Sequence, residues 1–399
     1  MAETITDLDA RLDALLAEVP PRETDPTAFL GEQFDRGLAW VHLAEGSGGL
    51  GGSPAEQQHA VVRLLNAGAP TAALRNIIGY GMVAPTIAVH GTEEQKARFL
   101  RPLFTGEEVW CQLFSEPGAG SDVASLATRA ERDGDEWVLN GQKVWTTLAH
   151  VASYGLIIAR TDPDQPKHRG ITAFLVDMRA PGVEVRPLYQ ATGEAEFNEC
   201  FFTDVRVPDT RRLGGVGEGW TVAITTLMNE RVSIGGGVPP RSSGLIGQAL
   251  ALWHERWGAR ADAHALAVRA RVLEAWVRAE VSRLTNWRAS DLRDAGTPGP
   301  EGSVAKLASA EGNQRLSELC VDLLGAEGML YGSTYPLVRP TETSYASGDV
   351  RKLFIRSRAN SIEGGTSEVM RNIIGERVLG LAAEPRPDKG VAWKDVPRG

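Results

Sequence analysis

Cysteine is scarce. Cys111, Cys200 and Cys320 are the only three in 399 residues, and no two form a C-x-x-C pair. That excludes a disulfide framework or a thiolate zinc site as the organising principle, and it favours a reducing compartment, here taken as the cytoplasm. The seven histidines are scattered without ligand spacing, so no metal is expected. No apolar run approaches the roughly 20 residues that a membrane-spanning helix needs. The opening stretch, MAETITDLDARLDALLAEV, is acidic and reads as an amphipathic helix with Leu8, Leu12, Leu15 and Leu16 on one face, not as a signal peptide. Positive charge is also in deficit, with 42 Lys and Arg against 51 Asp and Glu. A nucleic-acid binder would need a basic face, so an anionic ligand here requires a local cationic or main-chain site.

What is present is a soluble globular composition, 42% hydrophobic and 23% charged. The length exceeds one ordinary core and predicts two or three domains. Three textures divide the chain. Residues 1–109 are Ala- and Leu-rich with helical periodicity; Ser53-Pro54 and Thr92 followed by Gln95 are helix-start signals. Residues 110–212 hold short strand-like runs: EWVLNGQKVWTT, read as two strands joined at Asn140-Gly141, then YGLIIART, ITAFLVDM, VEVRPL and ECFFTDVRVP. Residues 213–382 return to long helical patterns and predict a bundle. Residues 383–399 are polar and proline-rich and read as a flexible tail. The fold class is therefore α+β: an N-terminal helical domain, a middle β-barrel-like domain and a C-terminal four-helix-bundle domain. A site is expected where these meet.

The stretch FSEPGAGSDVASLATRA, from Phe114, carries Pro117, Gly118 and Gly120, which force an irregular loop with available N–H groups, and Ser115 and Ser121 add hydroxyls. Alone it is a weak signal. WVLNGQKVWTT follows at once, and FNECFFTDVRVP comes some fifty residues later. In that order the motifs resemble the acyl-CoA dehydrogenase family, which has an E-P-G-A-G-S-D loop (Glu116 to Asp122), an L-N-G-x-K stretch (Leu139 to Lys143) and W-x-T (Trp145, Thr147).

The resemblance implies FAD as cofactor. It implies flavin contacts at Gln112, Phe114, Ser115, Trp145 and Thr147, and cofactor-phosphate or acyl-CoA contacts at Ser121. It also implies cofactor contacts at Thr366 and Glu368, and a substrate contact at Arg231. The reaction implied is α,β-dehydrogenation of an acyl-CoA thioester: a base removes the α-proton and hydride leaves the β carbon for flavin N5. Donors to the thioester carbonyl must stabilise the developing enolate.

Two carboxylates compete for the base. In SIEGGTSEV, Ser361 to Val369, the family's usual base position aligns with Gly364, and Glu363 falls one residue early. Gly364 keeps only a main-chain N–H, which the resemblance assigns to the thioester carbonyl. A second branch of the family, including isovaleryl-CoA and long-chain acyl-CoA dehydrogenases, carries its base on the first helix of the C-terminal bundle, before an arginine. LMNERVSIGGG places Glu230 and Arg231 there. Leu227, Met228, Val232 and Ile234 suggest a buried helix, and Gly235 to Gly237 either make room for a bulky acyl chain or end the helix.

The chain departs from the family twice. RWGARADAH offers Arg256 and Arg260 but no R-x-x-F-G, and DLLGAEGML has Asp322 where a glutamine precedes Gly-Gly. The usual clasp of FAD between subunits is left without its residues. The resemblance further implies an electron-transfer flavoprotein as electron acceptor and a homodimer or homotetramer. The same fold hosts flavin monooxygenases, oxidases and non-catalytic partner subunits. The presence of Glu230 favours a dehydrogenase or oxidase over a monooxygenase.

Overall fold

The leucines of the opening stretch build α1 (Ala2–Glu18). Leu8, Leu12 and Leu15 are buried with Phe29, Leu38, Ala60 and Leu64, and Leu16 packs beside them. The computed structural model describes residues 2–235, 238–294, 301–332, 338–341 and 348–397. Asp25 caps α2 (Pro26–Asp35). A reciprocal Ser53–Glu56 capping box, with proline in the first turn, opens α3 (Pro54–Asn66). After α4 (Ala72–Arg75) and α5 (Ala84–His90), Thr92 and Gln95 form a second capping box that opens α6 (Glu93–Thr105). These boxes satisfy amide donors that the first helical turn cannot pair internally.

Eight strands follow: β1 (Trp110–Leu113), β2 (Arg129–Asp133), β3 (Glu136–Thr147), β4 (Tyr154–Arg160), β5 (Ile171–Asp177), β6 (Val183–Leu188), β7 (Phe197–Pro208) and β8 (Arg212–Leu213). They form one sheet in the order β6-β7-β3-β2-β4-β5-β8. Because β5 takes one edge of β4, β1 and β2 share successive stretches of the other, both parallel to it. The path has two ends, so the sheet is open and not a closed barrel. Side chains alternate between two cores, as strand geometry requires. Along β4, Leu156 and Ile158 face one core while Ile157 and Ala159 face the other.

The reading of Asn140-Gly141 as a hairpin turn is corrected. Strand β3 runs straight through it, with a register shift against β7 between Leu139 and Gly141. The turn lies earlier, at Gly134-Asp135, where Asp133 pairs with Glu136. Asn140 instead bridges to Asp204, its Nδ2 donating to Oδ1 at 3.0 Å and its Oδ1 accepting from the Asp204 N–H at 3.0 Å. Gly141 is required by close approach: a Cβ there would sit 2.7 Å from Thr128 Cα. Asn-Gly therefore serves a bulge, which needs the same small, permissive residues as a turn.

The C-terminal part holds α7 (Gly219–Gly235), α8 (Gly244–Arg256), α9 (Ala263–Asp294), α10 (Glu301–Leu324), α11 (Val350–Arg356) and α12 (Ser367–Ile373). Ile246, Ala249, Val268, Val272, Leu319, Cys320 and Leu323 form its core. The core most relevant to the site spans all three parts of the chain. It joins Trp40, Ile87, Phe99 and Phe104 from the N-terminal helices, Trp110, Phe114, Leu156 and Leu175 from the sheet region, and Val222 and Ala223 from α7. Each large apolar side chain fully buried there contributes about 2–3 kcal/mol. The domains are thus held in register by a shared interior. No described helix is long and apolar enough to cross a membrane.

Candidate active site

Helix α7 is seated by its first two turns. Val222, Ala223 and Thr226 are buried. Thr226 Oγ1 meets Thr86 Oγ1 of α5 at 3.0 Å, and His90 Nε2 meets Thr225 Oγ1 at 2.8 Å. Glu230 lies four residues beyond Thr226 and therefore on the same inward face. It is half-buried, and its Oε2 accepts a 3.4 Å hydrogen bond from Gln112 Nε2 at the end of β1. Two residues singled out for base and flavin contacts are thus neighbours, although they are 118 positions apart. The expected burial of Met228 is corrected: it is 60% exposed, because the buried face runs through positions 222, 223 and 226. The side chains of Arg231, Val232 and Ile234, and residues Gly236 and Gly237, lie outside the described set.

The loop after β1 is held by a buried ion pair. Lys143 is fully buried and its Nζ donates to Glu116 Oε1 at 2.8 Å and to the Phe114 carbonyl at 3.1 Å. Glu116 also accepts from the N–H groups of Ala127 at 2.7 Å and Thr128 at 3.0 Å. Burial opposes ionisation of Glu116, but Lys143 and these donors outweigh it and hold its carboxyl below the usual range. Phe114 is buried in the shared core, and the Ser115 carbonyl accepts from the Val144 N–H at 2.9 Å. Ser121 lies exposed at the outer turn of the loop.

Trp145 is out of keeping with an ordinary strand residue in two ways. Its φ is +60°, and the residue is 60% exposed. The left-handed conformation costs a residue with a side chain about 1–2 kcal/mol. It coincides with a register shift between β3 and β7, which turns the indole out of the sheet's alternation. The ring meets Phe197 edge-on at 5.9 Å. Thr147, half-buried, pairs with Phe197 across the strands.

Phe197 connects this face to the SIEGGTSEV loop. The Arg356 guanidinium lies 5.6 Å from the Phe197 ring centre. The same guanidinium bonds both oxygens of Glu363, at 3.2 and 2.8 Å, and approaches Glu196 Oε1 at 3.4 Å. Asn360 Nδ2 also donates to Glu363 Oε1, at 2.7 Å. Burial pushes the Glu196 carboxyl up, and Glu194 and Glu363 add to this while Arg356 opposes it. Both carboxylate oxygens of Glu363 are thus engaged by neighbouring side chains.

The glycines after Glu363 both have positive φ, +62° at Gly364 and +91° at Gly365, conformations that glycine adopts without steric cost. Among the described residues nothing accepts the Gly364 N–H. The buried Lys306 of α10 holds the carbonyls of Asn360, at 3.0 Å, and of Gly365. Thr366 caps α12, its Oγ1 accepting from the Val369 N–H at 3.1 Å. Glu368 is exposed, and with Thr366, Glu311 and Arg371 it lines an open cleft of about 480 Å³.

Sequence reading missed Lys306, Arg356, Asn360 and Phe197. Lys306 stands 54 positions from its nearer carbonyl, and Arg356 and Phe197 are farther apart still. No local spacing encodes such pairs. The larger cleft, about 870 Å³ between α8, α9 and α10, contains none of the candidate residues, so it is not taken as the site. Arg256 and Arg260, the available cations, are engaged within the chain with Glu327 at 2.6 Å and Asp262 at 2.9 Å.

A flavin fits the first group of residues. An exposed indole face stands beside Thr147, and Gln112 Oε1 is shielded from solvent without a hydrogen-bond partner among the described residues.

Comparison with known proteins agrees. The acyl-CoA dehydrogenase N-terminal, middle and C-terminal domains match residues 5–107, 111–205 and 217–379. Acyl-CoA dehydrogenase IpdE1 of Mycobacterium tuberculosis is 38% identical over 89% of this chain and 86% of its own. Acyl-CoA dehydrogenase FadE34 of the same organism is 40% identical over 94% of this chain, which spans only 49% of that relative. Among solved structures, the ChsE4-ChsE5 complex of M. tuberculosis superposes with a TM-score of 0.70 at 30% identity, covering 96% of this chain and 98% of that one. The Tcur3481-Tcur3483 steroid ACAD superposes equally well, with a TM-score of 0.70 at 26% identity over the same shares. With all three domains matched in order, the chain belongs to the acyl-CoA dehydrogenase family, whose members are FAD-dependent oxidoreductases.

Proposed function

We propose that the chain converts an acyl-CoA thioester to its 2-enoyl-CoA with Glu230 as the base. The observation that carries this is the contrast between two carboxylates. Glu230 sits on the inward face of a well-seated helix, 3.4 Å from Gln112. Glu363 is consumed by Arg356 and Asn360. Glu230 takes the α-proton, and the electron pair left behind is stabilised at the thioester oxygen by the Gly364 N–H. Bound FAD would supply the acceptor for the hydride that leaves the β carbon. Trp145 and Thr147 would flank the flavin, Gln112, Phe114 and Ser115 would line its site, and Ser121, Thr366 and Glu368 would serve its more distant groups. Arg231 contacts the substrate beside the base. Proton transfer and hydride loss balance the new C=C bond without any further reactant.

The proposed acyl group is bulky and polycyclic. The support is the named steroid activity of the Tcur3481-Tcur3483 relative. An electron-transfer flavoprotein is the proposed electron acceptor, and the cytoplasm the proposed compartment. The chain is proposed to pair with another acyl-CoA dehydrogenase-type chain, a copy of itself in a homodimer or homotetramer. Leu273, Val277, Val281, Leu284 and Trp287 leave an apolar stripe exposed along α9, which favours such pairing. The engagement of Arg256 and Arg260 implies that any cation for the FAD pyrophosphate comes from elsewhere.

The test is anaerobic titration of purified, FAD-loaded protein with straight-chain, branched and steroid acyl-CoAs, following the visible flavin band. Bleaching by a steroid thioester at near-stoichiometric ratio is expected. Bleaching only by short straight chains would contradict the acyl class, and no bleaching by any thioester would contradict the reaction.

A further inference from the structure

The chain's last described residues are engaged with the middle domain. Residues 383–399 read as a flexible tail by composition, yet within their described part Ala392 pairs with Pro166 in an isolated β-bridge. The Trp393 N–H donates to the Gln165 carbonyl at 2.9 Å, and the Lys394 N–H to the Pro163 carbonyl at 3.1 Å. Lys167 ties Asp388 of this segment, at 2.6 Å, to Asp122, at 2.8 Å. Asp122 is the last residue of the E-P-G-A-G-S-D loop.

The contact of interest is made by the Trp393 side chain. Its Nε1 donates to the Ser125 carbonyl at 3.3 Å. The carbonyls on either side, of Ala124 and Leu126, accept from Arg160 Nη2 at 2.6 and 3.4 Å. The Arg160 guanidinium itself lies 4.8 Å from the Trp393 ring centre, and Arg160 is only 3% exposed. Three consecutive carbonyls are thus taken by one arginine and the indole that covers it. The loop's other end is fixed by Lys143 and Glu116. Ser121 lies between these two anchors.

We propose that Trp393 is a positioning residue for the cofactor-facing loop, acting through Ser125 and Arg160 to hold Ser121 in place. This rests on the assignment of Ser121 to FAD or acyl-CoA. Without the indole, the Ser125 carbonyl loses its donor and the Arg160 guanidinium loses its cover, so water competes for all three carbonyls. The loop would then sample open forms locally while the cores stay intact.

The experiment compares FAD-loaded wild type with Trp393→Ala and Trp393→Phe. Phenylalanine keeps a ring over Arg160 but cannot donate to Ser125. Amide exchange over residues 121–126 should rise by about tenfold or more in Trp393→Ala and less in Trp393→Phe. Exchange in α10 should be unchanged. FAD should be lost faster on gel filtration, and KM for the acyl-CoA should rise more than kcat falls. Unchanged loop exchange in both variants, or an equal rise throughout the chain, would overturn the proposal. Loss of the dehydrogenase reading is distinguishable, because it would show in wild type as a flavin that no thioester bleaches. The exchange and FAD-retention comparisons do not depend on turnover.

Discussion

Arg356 grips Glu363 through both carboxylate oxygens, at 3.2 and 2.8 Å, from seven residues earlier in the chain. This fork-to-fork geometry fixes orientation as well as charge. It turns the one carboxylate beside the Gly364-Gly365 pair into part of the scaffold. With Glu196 and Phe197 on its other sides, Arg356 also joins the C-terminal loop to the strand that faces Trp145.

Removing this arginine should therefore cost more than a surface ion pair would. Arg356 and Glu196 are 11% and 6% exposed in their side chains, and truncating one partner of a buried pair typically costs about 3–5 kcal/mol. Arg356→Ala should lower unfolding stability by about 3 kcal/mol in denaturant titration, and Arg356→Lys by less. A loss no greater than about 0.5 kcal/mol, the range of a surface change, would show that the cluster contributes no structure.

Asp209 gives a prediction about pH. Hydrogen bonds from Arg212 and Trp137 lower its carboxyl from 3.8 to about 2. A carboxyl depressed on folding adds stability that is fully present above its unfolded value and is lost as pH falls through its folded value. The stability difference between wild type and Asp209→Asn should be flat from neutrality down to about pH 5 and shrink between 3.8 and about 2. Melting temperatures across that range check it. A difference that grows on acidification would have the wrong sign.

Trp145 separates stability from cofactor retention. Trp145→Gly would relieve about 1–2 kcal/mol of left-handed strain and incur about 1 kcal/mol of glycine backbone entropy. The FAD-free protein should keep its melting temperature to within a few degrees, while FAD retention on gel filtration drops. Parallel losses of both would mean that Trp145 is chiefly a packing residue.

The cysteines should be silent in the native state. All three are free and buried. Burial pushes Cys200 and Cys320 up to about 12 and Cys111 well above its ordinary value. Thiolate, the reactive form, is then negligible at neutral pH. A colorimetric thiol reagent should label none of the three before unfolding and all three after it.

Features legible in the sequence were those that local chemistry encodes. The Ser53–Glu56 and Thr92–Gln95 capping boxes and the leucine face of α1 follow from three- and four-residue spacing. Gln112 and Glu230 were singled out separately, but only the fold places them together. Asn140-Gly141 misled because a bulge and a hairpin turn select the same residues. Met228 misled because hydrophobicity alone does not say which face of a helix is covered. Lys306 was invisible because its partners are main-chain carbonyls more than fifty positions away, and Arg356 because Glu196 and Phe197 reach it only by tertiary approach. Proline-rich composition gave no hint that Trp393 reaches Ser125 across 268 positions.

The most direct test of the account replaces each carboxylate in turn. FAD-loaded wild type, Glu230→Gln and Glu363→Gln should be mixed anaerobically with a thioester that bleaches the wild type, and the flavin band followed in time. Glu230→Gln should slow bleaching by about 10²- to 10⁴-fold, while Glu363→Gln should bleach at close to the wild-type rate once its lower stability is allowed for. Full-speed bleaching by Glu230→Gln together with a stalled Glu363→Gln would contradict the account and move the base to the Arg356 cluster.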